Sequence, residues 1–276
     1  MTDISTLRLG SSCCFFRDIN RDVMQAAKAA GIDALELSFS YDKYMNSLDL
    51  PRTAAALGET ARDVGIELWS LHLPFSRKLD ISNQDKELRA ITLYTNKTLI
   101  RAAAEAGIKT MVLHPSSEPI TDDIRPDRLA LSRDGIMRLG ELCDKLGLTL
   151  AVENLPRTCL CNRSAEMVEL LSGTGAKVCF DTNHSLAEDN LDYLRGILAG
   201  GLEIVTLHIS DYDFVDERHR LPGDGFNNWK GLLSILAEAN YAGPLMYEVP
   251  AQPKERDVIA LETLADNMKR LRAGLI

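Results

Sequence analysis

Six short apolar runs in the sequence each finish on a side chain able to bind a cation. IELWSLH ends at His72, TMVLH at His114, LAVE at Glu153, VCFD at Asp181, VTLH at His208 and LMYE at Glu248. Of the five histidines, three close such a run, His184 follows Asp181 closely, and His219 alone is remote from any run. Bulk packing gives no reason for that sorting. If the runs are parallel strands, their last residues share one end of the sheet, where β/α barrels build active sites. Glu153, Asp181, His208 and Glu248 then form a site of three carboxylates and one imidazole. Charges gathered in this way repel one another unless a cation sits among them. An oxygen-rich set suits Mn²⁺ or Mg²⁺, and the imidazole also admits Zn²⁺ or Co²⁺. One divalent ion, with Mn²⁺ first, is the expectation.

The elements that must position these residues repeat. The end of an amphipathic helix, a glycine and a strand recur as KAAGIDALELSF, RDVGIELWSLH, EAGIKTMVLH, DKLGLTLAVE and SGTGAKVCFD. Gly31, Gly65, Gly107, Gly147 and Gly175 fit the left-handed position that ends a helix. The runs after them are nearly continuous in apolar character, as strands buried on both faces are. Strands are expected near 7–12, 33–38, 66–72, 109–114, 148–153, 177–181, 203–208 and 244–248. Helices are expected near 19–30, 51–64, 84–106, 126–146, 163–172, 188–199, 228–239 and 255–272. Eight alternations predict one closed (β/α)8 TIM barrel spanning 1–276 as a single domain. An open nucleotide-binding sheet would carry G-x-G-x-x-G after its first strand, and LRLGSSCCF has none.

Composition agrees with that reading. The chain is 45% hydrophobic and 26% charged, as ordinary globular proteins are. No apolar run approaches the ~18 residues of a membrane span, and MTDISTLRLGSS lacks signal-peptide character, so the expected location is cytoplasmic. A net charge of −9 argues against nucleic acid as partner. The six cysteines are expected as reduced thiols.

The segments ALELSF, SLHLPFSRKLDIS, VLHPS, AVENLP, FDTNHS, LHISDYD, RHRLPGDG and YEVP occur in this order between about residues 33 and 250. On these segments the chain resembles the xylose isomerase-like barrel superfamily, in particular its sugar (phosphate) isomerases and epimerases. The resemblance implies a metal held by Glu153, Asp181, His208 and Glu248, with His184 contacting a small sugar substrate. It further implies proton abstraction through a metal-bound enediolate, with Glu153 and Glu248 as general base and acid on opposite sides. Barrels of this family often pair into homo-oligomers, and the sequence marks no interface of its own.

His72 and His114 can line the substrate side of the pocket, hold a second metal, or be satisfied by loop carbonyls. Within DERHRLPGDG, the expected lid, Arg218, His219 and Arg220 can hold an anionic or hydroxylated group. Glu36 is read as a hydroxyl acceptor or a structural acid. Trp69 and Trp229 read as packing, and Phe15, Phe16 and Phe75 as an apolar wall. Two other enzymes share such a scaffold. A three-zinc apurinic-site endonuclease would use Glu217 and His219 as its strand-seven pair, and a polyol or keto-acid dehydratase would expel hydroxide after the same proton removal. A sugar-binding barrel without turnover would not need two opposed carboxylates.

Overall fold

A computed structural model describes residues 1–16, 18–38, 50–252 and 257–276. Its strands are β1 (Leu9–Ser12), β2 (Ala34–Ser38), β3 (Glu67–His72), β4 (Thr110–Leu113), β5 (Thr149–Glu153), β6 (Lys177–Asp181), β7 (Ile204–His208) and β8 (Leu245–Tyr247). Between and after them, the described residues form helices α1 (Arg21–Ala30), α2 (Leu50–Val64), α3 (Lys86–Ala106), α4 (Arg125–Leu146), α5 (Ser164–Leu171), α6 (Asn190–Ala199), α7 (Trp229–Glu238) and α8 (Leu261–Arg272).

The strands are parallel neighbours in chain order, from β7 down to β1, with β8 on the far side of β1. Closure between β7 and β8 is brief. Ile209 donates to the Met246 carbonyl at 2.8 Å, and Glu248 donates to the Ile209 carbonyl at 3.0 Å. The expected (β/α)8 barrel is therefore the observed fold.

Its main core lies between sheet and helices, and Val112, Ala151 and Cys179 form a separate small cluster. Each of these three stands two residues before a strand-end ligand candidate and shares its face. The ends of β4, β5 and β6 thus rest on an apolar layer. Trp69 is packing, as expected. Its Nε1 donates to Thr206 Oγ1 at 3.1 Å, and the Arg8 guanidinium covers the ring.

Four helices begin one or two residues later than expected, for one recurring reason. Asn20, Asp85, Asp189 and Asn228 are not helical but accept amide hydrogens of the first turn. A short polar side chain competes for backbone hydrogen bonds and so belongs at the cap. The last helix begins at Leu261 rather than 255, which lies outside the described residues. The Ile259 amide is committed to the Ala251 carbonyl at 2.7 Å, so the chain is still a loop there. Gly31, Gly107 and Gly147 cap their helices in the left-handed conformation. Gly175 is left-handed too, but it sits beyond Ser172, which caps α5. Gly58 serves a different purpose: a Cβ there would lie 2.3 Å from the Ala106 carbonyl oxygen, so α2 reaches α3 only without one.

The loop after β3 is fixed to α4 by a buried ion pair. Asp80 accepts from the Ser82 amide and hydroxyl, the Ser117 amide and the Arg128 guanidinium, which also reaches Ser82 Oγ and the Ser117 carbonyl. Burial pushes the Asp80 carboxyl up against the pull of Ser82 and Arg128. Removing one partner of such a pair leaves a buried charge uncompensated. Asp80→Ala is expected to lower unfolding free energy by about 3–5 kcal/mol in urea titration. Replacing both residues by apolar ones should cost less than the single change.

Candidate active site

The six strand-end residues meet at one mouth of the barrel, as parallel strands require. His72, Glu153, Asp181 and His208 are the last residues of β3, β5, β6 and β7, and His114 and Glu248 follow β4 and β8 directly. One ligand atom each from Glu153, Asp181, His208 and Glu248 lies within 4.8 Å of every other.

His208 is the hinge of this geometry. Its Nε2 is 3.0 Å from Glu36 Oε1, and Glu36 Oε2 accepts from Ser70 Oγ at 2.7 Å. Its Nδ1 faces Glu153 Oε1 and Glu248 Oε2 at 3.1 Å and Asp181 Oδ2 at 3.8 Å. One ring nitrogen carries at most one hydrogen, so it cannot satisfy three carboxylate oxygens. Asp181 Oδ2 is buried with no hydrogen-bond partner. Burial, with the Glu248 and Glu153 charges adding to it and His184 opposing, pushes the Asp181 carboxyl well up. Excess negative charge, an orphaned buried oxygen and an imidazole whose far nitrogen is fixed by a carboxylate all fit a divalent cation.

Glu153 is ringed by imidazoles. His72 Nε2 and His114 Nε2 lie 3.2 Å from Oε2, and His184 Nδ1 lies 3.2 Å from Oε1. Burial alone would push Glu153 up, but His208, His114 and His184 hold it well below the usual carboxylate range. Asn154 joins the two neighbouring strand ends. Its amide donates to the Asp181 carbonyl at 2.9 Å, and its Oδ1 accepts the Asp181 amide at 2.7 Å.

A cavity of about 340 Å³ opens above these residues. Glu153, Glu248, His114, His184 and His219 line it, and Phe75 forms an apolar side, stacked on His114 with ring centroids 3.8 Å apart. Four expected substrate contacts fall elsewhere. Glu36 is fully buried beneath His208 with both oxygens engaged, so it supports a ligand candidate rather than meeting substrate. His72 lies behind Glu153, its Nδ1 on the Leu73 carbonyl at 2.9 Å. Arg218 directs Nε to Asp213 at 2.8 Å, and Arg220 reaches the same carboxylate at 3.6 Å. Side chains alternate along this loop, so Glu217 and His219 face the cavity while Arg218 and Arg220 point to Asp213.

Sequence reasoning passed over Arg157, Glu118 and Asp211. Glu118 and Arg157 line the cavity, and no sequence spacing signals that they meet. Asp211 organises the loop after β7: it accepts the Tyr212, Gly223 and Asn227 amides and Trp229 Nε1, all within 3.1 Å. A Cβ on Gly225 would come within 2.4 Å of Asp211 Oδ1, which explains that glycine.

A family model described as xylose isomerase-like TIM barrel matches residues 24–273. The chain belongs to the xylose isomerase-like TIM barrel family. Within it, the chain is 23% identical over 259 residues to L-ribulose-5-phosphate 3-epimerase UlaE of Escherichia coli O157:H7 (strain EC4115 / EHEC), covering 92% of this chain and 90% of that one. Among solved structures, a D-tagatose 3-epimerase-like protein superposes with a TM-score of 0.82 at 19% identity, covering 98% of each chain. A D-psicose 3-epimerase superposes with a TM-score of 0.78 at 21% identity, covering 97% of this chain and 98% of that one. These superpositions establish a shared fold.

For this xylose isomerase-like barrel, both ligand clusters among the described residues contain Glu153 and His208, so they describe one centre. None of the described helices is long and apolar enough to cross a membrane, and the six cysteines are unpaired. Asp211→Ala would leave several buried N–H donors without a partner. It is expected to cost about 3 kcal/mol in chemical denaturation and to speed amide exchange across 211–229, with Asp211→Asn milder on both counts.

Proposed function

We propose that this protein is a divalent-metal-dependent isomerase of sugars or sugar phosphates that epimerises a ketose by removing the proton beside its carbonyl. The observation that carries this reading is His208 Nδ1 facing three carboxylate oxygens while Nε2 is committed to Glu36. The epimerase relatives support the same class of reaction. Glu153, Asp181, His208 and Glu248 would hold the ion, with Mn²⁺ preferred for an oxygen-rich set and Mg²⁺, Co²⁺ or Zn²⁺ as alternatives. The chemistry such an ion supplies is Lewis-acid polarisation of a substrate carbonyl, which acidifies the adjacent C–H.

The chain's own groups do the rest. Glu153 and Glu248 both line the cavity, and a base and an acid on separate strands can serve opposite faces of one carbon. Imidazoles keep Glu153 ionised despite its burial, as a base must be. Phe75 offers an apolar surface to the C–H side of a sugar, His219 offers its Nε2 to the hydroxyls, and His184, whose two nitrogens are engaged within the protein, lines the wall beside them. Glu36 and Ser70 hold the His208 ring in one orientation.

The test is proton NMR of ketoses and ketose phosphates in deuterated water with added Mn²⁺. Deuterium entering the carbon next to the carbonyl, with the epimer formed, is the expected result. A dehydrated product would favour the dehydratase, and no exchange with any ketose would remove the reading. Glu153→Gln and Glu248→Gln should each cut kcat about a hundredfold or more while the far-ultraviolet dichroism is kept. Full activity in either would undo that assignment. Glu36→Gln should weaken Mn²⁺ binding about 10–100-fold by calorimetry, because the imidazole loses its orienting carboxylate.

A further inference from the structure

Arg157 lies in the loop after β5 and joins three loops of the barrel mouth. Its Nε meets both Glu118 oxygens at 3.0 and 3.1 Å, from the loop after β4. Its Nη1 meets Asp216 Oδ1 at 3.0 Å and Glu217 Oε2 at 3.1 Å, from the loop after β7. The other Glu217 oxygen lies 3.1 Å from His184 Nε2, and His184 Nδ1 is 2.9 Å from the Asn154 carbonyl. The imidazole is thus held at both ends, on one side by the Asn154 carbonyl just past β5 together with Glu153, and on the other by a carboxylate that Arg157 aims. Arg157 itself is set with a positive φ of 51°, and Asn162 Nδ2 donates to its carbonyl at 2.6 Å. A planar guanidinium presents five donors in a rigid fork and so holds three carboxylates at set angles, whereas an ammonium is a compact point charge without that geometry.

We infer that Arg157 is a positioning residue: it draws the β7 loop over the cavity and, through Glu217, fixes the His184 ring against substrate. This rests on the epimerase reading for its kinetic part and on geometry alone for its structural part. Three carboxylates from two loops converge on one cation, so losing it both frees Glu217 and sets like charges against each other. His184 then keeps only its Nδ1 partners, the Asn154 carbonyl and Glu153 Oε1. The cavity wall that His184 forms then loses its fixed shape before any bond is broken, so the loss falls on KM more than on kcat.

The experiment compares wild type with Arg157→Gln, Glu217→Gln and the double variant. Each single change is expected to raise KM for the ketose at least about fivefold with kcat changed less. The double variant should be no worse than the poorer single one, because both break one connection. Wild-type KM should climb with added salt, since the Arg157 pairs are 38% exposed on the arginine side, and Arg157→Gln should lose that dependence. Hydrogen exchange of residues 213–221 should accelerate in Arg157→Gln, and Arg157→Lys should fall between it and wild type. Multiplicative KM effects or an unchanged salt response would overturn the proposal. So would loop amides that exchange no faster than wild type, whether or not the protein turns over any ketose. If wild type epimerises nothing yet the loop loosens, the functional reading fails and the positioning role stands. Should the glutamine variants not fold, Arg157→Lys with Glu217→Asp carries the same cycle.

Discussion

The arrangement depends on how much negative charge a barrel mouth can bury. Glu36, Glu153 and Asp181 are fully buried, and Glu248 stands beside them. Water cannot relieve their repulsion there, so fixed positive charge and donors must. Each acid has a different solution. Glu36 is satisfied by Ser70 and His208, and Glu153 by four imidazoles. Asp181 has one oxygen on the Asn183 amide and the other facing the gap in front of His208. The remaining deficit is local, and it sits where an ion bridging strands β5 to β8 would be held.

Most of this was legible because strand ends are fixed by two simple periodicities. Parallel strands buried on both faces read as apolar runs, and a left-handed glycine before each of β2 to β7 sets where it begins. The last polar residue of a run then has to lie at the mouth. That logic placed Glu153, Asp181, His208 and Glu248 together without any knowledge of loops. It was weaker for Glu36. ALELSF shows an acid inside a strand, and only the bulge between Leu35 and Glu36 relative to β3, together with the His208 ring, reveals that it braces a ligand candidate.

Loops were read less well because their side chains are placed by contacts between distant segments. Arg218 and Arg220 looked like substrate cations, yet one carboxylate, Asp213, takes both. Arg157 carried no local signal, since its partners lie 39, 59 and 60 positions away: Glu118, Asp216 and Glu217. The apurinic-site pairing of Glu217 with His219 looked plausible by spacing. In the fold Glu217 reaches Arg157 and His184, while His219 Nδ1 lies 3.2 Å from the Glu248 carbonyl. Spacing within a loop does not decide which neighbour a side chain meets.

The crowd of histidines around Glu153 has a consequence for any proton chemistry at this mouth. A carboxylate moved from water into a buried pocket tends to keep its proton, and a protonated acid can neither bind a cation nor accept a hydrogen from carbon. His184 and His208 reverse that tendency at Glu153 and are themselves driven upward by the acids they face, although burial opposes it. The same mutual dependence reaches outward. Burial raises Glu217, yet His184 and Arg157 together bring it down to about 2, so it stays a carboxylate able to grip the ring. Charge at the centre therefore sets the protonation of the layer around it, and that layer orients what approaches. The chain of compensating charges runs from Glu153 through His184 and Glu217 to Arg157, and it ends on the half-exposed carboxylates Glu118 and Asp216, where water takes over the screening.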